Sequence, residues 1–88
     1  MPIISSFYGI LIKMYFGDHS PPHFHAEYAE FKAQIAIADF RLMQGSLPPK
    51  AMSLVIEWAC LHQIELEKNW KLLSEENSGT FNKIEPLK

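Results

Sequence analysis

The feature that most constrains the fold is a change of hydrophobic period part-way along the chain. From Pro2 to about Gly45 apolar and polar residues alternate, whereas after Leu47 the apolar residues recur at helical spacing. Alternation is typical of half-buried strands, and a period near 3.6 is typical of amphipathic helices. Strands followed by helices predict an α+β fold, in which two C-terminal helices pack on one face of a small sheet.

The alternating half of the chain predicts three to five mostly antiparallel strands. The predicted strands are Ile3 to Ser5, three longer runs starting near Ile10, His23 and Phe31, and Arg41 to Gln44. A tight hairpin is predicted at Ala29. Successive side chains of a strand point to opposite faces of the sheet. The core face should hold Ile10, Ile12, Met14, Phe16, Phe24, Ala26, Tyr28, Phe31, Ala33, Ile35 and Ile37, and the outer face Lys13, Tyr15, His23, His25, Glu27, Glu30, Lys32 and Gln34.

The helical half of the chain predicts two helices with a break between them. Ser46 precedes Pro48 and Pro49, and a serine that caps free amides ahead of a first-turn proline marks the start of a helix. One continuous helix from there to Gly79 would be about 42 Å long at 1.5 Å per residue, too long for a compact domain of this size. We therefore predict a break near His62.

The two predicted helices differ in how much of their circumference is apolar. The first should lie centrally in the core, because its apolar residues surround it almost completely: Met52, Leu54, Val55, Ile56, Trp58, Ala59, Cys60 and Leu61. The second carries a narrower stripe, Leu66, Trp70 and Leu73, which is typical of a surface helix. Ser78 and Gly79 should end it, ahead of an extended tail from Phe81 to Leu87. Both tryptophans are interpreted as core residues.

Length and composition exclude several classes of protein. The chain has 88 residues, which we interpret as one domain over residues 1–88, and its formal net charge of -2 argues against a broad phosphate-binding surface. Cys60 is the only cysteine, so neither an internal disulfide nor a cysteine-based zinc site can form. The N-terminus lacks the features of a signal peptide, and no apolar segment is long enough to span a membrane. A cytoplasmic protein without a membrane partner is expected.

Three of the four histidines fall within seven residues, in the run Asp18-His19-Ser20-Pro21-Pro22-His23-Phe24-His25. Histidine gains or loses a proton near neutral pH, and its neutral ring binds metals. Within the predicted strand, His23 and His25 occupy positions i and i+2, so their rings should share one face about 7 Å apart. This histidine cluster, His19, His23 and His25, is the candidate functional site.

One hypothesis for the cluster is cleavage of RNA without a metal or other cofactor. That reaction needs a base for the 2′-hydroxyl proton, an acid for the leaving oxygen and a cation for the phosphorane charge. His23 or His25 could be the base, the other ring or His19 the acid, and Lys13 or Lys32 the cation. A hydrated polar face with no chemical role is the simplest alternative.

A second hypothesis is a metal site. His19, His23 and His25 could bind zinc or another transition metal, with Asp18 or Glu27 as a fourth ligand. The spacing matches no standard zinc motif. His62 is excluded from the cluster, because its position inside the helical region favours a partly buried structural role or a contact at the helix break.

Several separated motifs resemble a small bacterial family, domain of unknown function 4160 (DUF4160). They are Ser6-Phe7-Tyr8-Gly9-Ile10, Met14-Tyr15-Phe16, Asp18-His19-x-Pro21-Pro22-His23-Phe24-His25-Ala26-x-Tyr28, Glu57-Trp58-Ala59-x-x-His62, Asn69-Trp70 and the closing Lys83-Ile84-Glu85-Pro86-Leu87. The resemblance implies a gene often placed beside a second uncharacterised family, domain of unknown function 2442, in an arrangement that looks like a type II toxin–antitoxin pair. It brings no established catalytic residues.

The resemblance and the residues together leave three functional hypotheses. The first is a toxin-like ribonuclease with a small antitoxin-like partner protein; the acidic pI of about 6.0 argues against ribosome-bound RNA as its target. The second is a non-enzymatic module that binds a partner protein through the histidine face. The third is a small metal-binding protein. A homo-oligomer is compatible with each.

Overall fold

The computed structural model describes residues 3–15, 21–75 and 81–87 and confirms the predicted α+β fold. Five strands precede two helices, and the second helix continues into one π-helical turn. The elements are β1 (Ile3–Phe7), β2 (Ile10–Lys13), β3 (His23–Tyr28), β4 (Phe31–Ala36), β5 (Leu42–Gly45), α1 (Pro49–Leu61), α2 (Gln63–Trp70) and the π-helical turn Lys71–Glu75. The predicted positions of Phe16, Ser78 and Gly79 lie outside the described residues.

The five strands form one antiparallel sheet in sequence order, β1-β2-β3-β4-β5. Two-residue turns join β1 to β2 and β3 to β4. Tyr8 and Gly9 both have positive φ, 49° and 79°, which is the pattern of a type I′ hairpin. Ala29, with φ 53°, lies in the β3–β4 turn, where Tyr28 pairs with Phe31. The predicted hairpin at Ala29 is confirmed.

The sheet has one apolar face and one polar face, as the alternation predicted. Ile10, Ile12, Phe24, Ala26 and Ile35 are fully buried, and they share the face that the helices cover. The register opposes Ile12 to Ala26 and Phe24 to Ile35, so neighbouring strands contribute to one continuous layer. The residues between them in sequence point to the other face, which carries the candidate site.

The helix entry differs from the prediction. Helix α1 begins at Pro49, its N-cap residue is Pro48, and no side chain caps it. Ser46 is therefore not the cap, because the two prolines occupy the N-cap and first helical positions and leave the serine outside the helix. Proline at the first position costs the helix nothing, since that N–H has no partner within the helix.

The predicted break is confirmed at His62, which has φ -125° and separates α1 from α2. The predicted all-round burial of α1 is wrong. Ala51, Val55, Trp58 and Ala59 are buried, whereas Cys60 is exposed and Leu61 is 68% exposed. The chain turns directly after Leu61, so α2 covers only one side of the end of α1. In α2 and the turn after it, the predicted stripe of Leu66, Trp70 and Leu73 is buried as expected.

The tail from residue 81 to 87 runs in an extended form between the sheet edge and the helices. The Ile84 N–H donates to the Ile4 carbonyl at 2.8 Å, which places the tail beside β1. Asn69, with 0% exposure, holds the start of the tail: its Nδ2 donates to the Asn82 carbonyl at 2.7 Å, and its Oδ1 accepts from the Asn82 N–H at 2.8 Å. Within the described residues, neither helix has the length and apolarity needed to cross a bilayer.

Replacing Asn69 by alanine should lower the free energy of unfolding by about 1–3 kcal/mol, because both backbone groups of Asn82 lose a buried partner. Urea unfolding measures this change. Asn82→Ala is the matched control: only the backbone of Asn82 takes part, so this variant should unfold like the unmodified chain. Equal losses in the two variants would contradict the role given to the Asn69 amide.

Candidate functional site

Two rings of the predicted histidine cluster lie side by side on the polar face of β3. The centroids of His23 and His25 are 5.1 Å apart, with 58° between the ring planes. This follows from the strand geometry, because residues i and i+2 share a face. The third member, His19, and its neighbour Asp18 lie outside the described residues.

His23 is the more buried of the two histidines. Only 4% of its surface is exposed, because its ring packs against Trp70 with a centroid distance of 5.3 Å. Its Nδ1 lies 2.8 Å from the Pro21 carbonyl oxygen, and since a carbonyl can only accept, Nδ1 donates this hydrogen bond. The expectation of a solvent-facing His23 is wrong, because the end of α2 reaches the ring. The diproline supplies the carbonyl that orients it.

His25 is half-buried and contacts a second aromatic ring. The edge-to-face contact with Tyr15 has a centroid distance of 4.4 Å and an interplanar angle of 89°. Tyr15 was predicted on this face but was not among the candidate catalytic residues. Its alternation with Lys13 in the sequence was the available signal. The β2–β3 register pairs His25 with Lys13, so the contact of Tyr15 with His25 follows only from the folded chain beyond the end of β2.

The two candidate cations occupy different environments. The Lys13 Nζ lies 3.1 Å from Glu27 Oε1, and the two side chains are only 10% and 19% exposed. The expected solvent exposure of Lys13 is therefore wrong: β2 lies inside the sheet, where its neighbours on β1 and β3 surround the lysine stem. An ion pair held this way neutralises much of the charge that Lys13 would offer to a ligand. Lys32, on β4 opposite Glu27, is exposed.

A concavity of about 500 Å³ lies beside His25 on the polar face. Its lining combines rings, charges and amides: Tyr15, His25, Glu27, Lys32, Gln34 and Gln44, with Ala33 and Gly45. Gly45 has φ 80°, and a Cβ there would lie 2.0 Å from the Lys32 carbonyl oxygen. Only glycine allows β5 to lie this close to β4. The concavity therefore brings together a cation, an imidazole, two amides and the Glu27 carboxylate, whose charge Lys13 offsets. This set is suited to binding and proton transfer on an anionic ligand.

The residues assigned to structural roles are found in those roles. Trp58 is fully buried, and Trp70 lies in the core cluster. His62, at the helix break, packs on Trp58 with a centroid distance of 5.6 Å, and its Nδ1 donates to Glu65 Oε1 at 2.6 Å. His62 is separate from the histidines of β3, as predicted.

The metal hypothesis depends on His19. Among the described residues, no group of three or more histidine, cysteine, aspartate or glutamate side chains is arranged to hold a metal ion. His23 and His25 alone supply two nitrogens, whereas a structural zinc site requires four ligands and a catalytic site three. A metal at this face would need ligands from outside the described residues.

Comparison with known proteins gives a family but no characterised relative. No curated protein and no solved structure matches the chain. One family model, described as a domain of unknown function (DUF4160), matches residues 9–71. The match covers more than two thirds of the 88 residues and includes the paired histidines, the concavity and both helices. The chain belongs to the DUF4160 family.

Proposed function

We propose that this protein is a metal-independent ribonuclease acting as the toxin-like component of a bacterial, cytoplasmic toxin–antitoxin pair. The observation that carries the proposal is the pair of imidazole rings 5.1 Å apart, beside a concavity that contains a lysine. Two imidazoles and a cation supply the base, the acid and the charge stabilisation that phosphodiester cleavage requires.

The proposed reaction is attack of the ribose 2′-oxygen on the adjacent phosphorus. His25, which lines the concavity, takes the 2′-hydroxyl proton as the new P–O2′ bond forms. The P–O5′ bond breaks, and a second imidazole, that of His19 or His23, gives a proton to the departing 5′-oxygen. The products are a 2′,3′-cyclic phosphate and a 5′-hydroxyl end. No step of this reaction uses a metal or a redox partner.

Lys32 is assigned as the cation that stabilises the phosphorane. It lines the concavity, whereas Lys13 is paired with Glu27 at 3.1 Å. Lys13 is instead assigned a positioning role: it lies opposite His25 in the β2–β3 register, and its ion pair offsets the negative charge of Glu27, which lines the same concavity.

Incubation of the purified protein with single-stranded RNA in the presence of EDTA tests the chemistry. We expect cleavage, with 2′,3′-cyclic phosphate and 5′-hydroxyl ends on the products, because no step uses a metal. Intact RNA, or cleavage that EDTA abolishes, would contradict the proposal.

In cells, expression of the chain alone should arrest growth, and co-expression of a cognate antitoxin-like protein should restore it.

A second candidate function is a protein-binding module without catalysis. Two large apolar side chains on either side of the helix break favour it: Leu61 is 68% exposed and Ile64 is 72% exposed. Exposed apolar residues that cluster on a surface often mark protein contacts. Under this reading the protein forms a stable complex with its partner but leaves RNA intact, and Leu61→Ser with Ile64→Ser weakens that complex.

A further inference from the structure

Two glutamine side chains lie next to each other in the concavity beside His25. Gln34 on β4 and Gln44 on β5 are directly paired in the antiparallel register, and both line the concavity. Side chains of directly opposed residues start about 5 Å apart and point to the same face. Among the described residues, neither amide has a hydrogen-bond partner, so both groups are available to a ligand.

A primary amide offers a hydrogen-bond donor and an acceptor next to each other. Adenine matches this arrangement twice, because its amino group lies between two ring nitrogens, N1 on one edge and N7 on the other. Each amide oxygen can accept one amino hydrogen while each amide nitrogen donates to one ring nitrogen. Cytosine and uracil lack an amino group flanked by two acceptors, so each satisfies at most one of the two amides completely. Guanine can engage two amides only through separate edges, O6 with N1–H and N3 with the N2 amino group, so its amino group is not shared by both amides as that of adenine is.

The rest of the concavity suits a nucleotide that carries such a base. Tyr15 provides an aromatic surface, and bases of single-stranded nucleic acids stack on aromatic side chains with little dependence on sequence. Lys32 places a positive charge in the same concavity, where it can contact the phosphate next to the bound base. His25, also in the lining, would then lie near the phosphodiester attached to that nucleotide.

We infer that the concavity binds single-stranded nucleic acid with an adenine base held between the Gln34 and Gln44 amides. This inference rests on the proposed function, for which it names the substrate class: RNA with an unpaired adenosine next to the cleaved bond. Gln34 and Gln44 determine specificity and take no part in proton transfer.

Fluorescence anisotropy with labelled oligodeoxynucleotides tests binding separately from cleavage, because these probes lack the attacking 2′-hydroxyl. We expect the Kd for oligodeoxyadenylate to be about tenfold lower than for oligodeoxycytidylate or oligothymidylate, as one additional bidentate contact predicts. Gln34→Leu and Gln44→Leu should each reduce this preference. Ser6→Ala, an exposed change on β1 away from the concavity, is the matched control and should retain it. Circular dichroism confirms that each variant is folded.

Equal Kd values for the three probes, or an adenine preference that survives both glutamine variants, would overturn the inference. Cleavage of single-stranded RNA without preference for adenosine would overturn it while leaving the proposed ribonuclease intact. An adenine preference in binding without cleavage of any RNA would support the base site and contradict the ribonuclease.

Discussion

Replacing Trp58 by alanine should lower the free energy of unfolding by about 3–5 kcal/mol, the loss typical of a large aromatic residue removed from a core. The side chain is fully buried and joins the two layers of the fold. Its ring lies 5.5 Å from that of Phe7 and 6.0 Å from that of Phe24, so one residue of α1 packs against both β1 and β3. After the substitution, α1 cannot move far enough to fill the cavity left beside β1 and β3.

The indole nitrogen adds a second contribution. Trp58 Nε1 donates to the Glu85 carbonyl at 2.8 Å, which ties the extended tail to α1. A domain of this length is stable by about 4–13 kcal/mol, so Trp58→Ala should leave little of that stability. Urea unfolding followed by far-UV circular dichroism measures the loss, and Trp70 fluorescence gives an independent signal.

Trp58→Phe separates the two contributions. Phenylalanine keeps much of the aromatic packing but cannot donate to Glu85, so this variant should lose about 1–2 kcal/mol, mainly the value of one hydrogen bond and a small cavity. If Trp58→Ala cost no more than Trp58→Phe, the ring would not be the main link between α1 and the sheet.

The order of elements could be predicted because period-two and helical patterns are local properties of the sequence. In β2, β3 and β4 the core-facing apolar residues recur at every second position, so these strands could be recognised from the sequence, and the helix break was required by the length of the apolar run. The mistaken Ser46 cap shows the limit of local signals. Pro48 and Pro49 favour the start of the helix through their fixed backbone conformation alone. The helix therefore begins without a side-chain cap, and Ser46 lies outside it.

Burial on the polar face could not be predicted in the same way. His23 is covered by Trp70, which lies 47 positions further along the chain, and alternation within a strand gives no information on such a contact. The pairing of Gln34 with Gln44 depends on the β4–β5 register, which contains an irregularity between Gln34 and Ile35. The sequence therefore predicted the polar-face residues of β3 and β4, among them His23, His25 and Gln34, but not Gln44 on β5, and the neighbours and exposure of all of them required the assembled sheet.

Replacing His25 by alanine should reduce RNA cleavage by about 10²–10⁴-fold, the contribution typical of a general acid or base. His25 lines the concavity, and its ring contacts both His23 and Tyr15, so it is the imidazole best placed to meet a substrate. Its side chain is only half-buried, and the variant should fold. Initial rates on a short labelled RNA, measured with EDTA present, give the change in kcat/KM.

His23 requires a different substitution, because its ring also has a structural role against Trp70 and Pro21. Asparagine can still donate to the Pro21 carbonyl through its amide nitrogen, but it cannot exchange a proton near neutral pH. His23→Asn should therefore keep the fold and lose cleavage to a similar degree as His25→Ala. If the two rings act as one unit, the double variant should be little worse than either single variant.

His62→Ala is the matched histidine control for both variants. His62 lies at the helix break, where its partners are Trp58 and Glu65, so this change should lower stability slightly and leave kcat/KM for RNA unchanged. Full activity in His25→Ala would remove His25 from the chemistry and contradict the proposed mechanism, because among the described histidines only His25 lines the concavity. A large loss in His62→Ala, with His25→Ala unaffected, would move the catalytic site to the helix break and contradict the proposed mechanism.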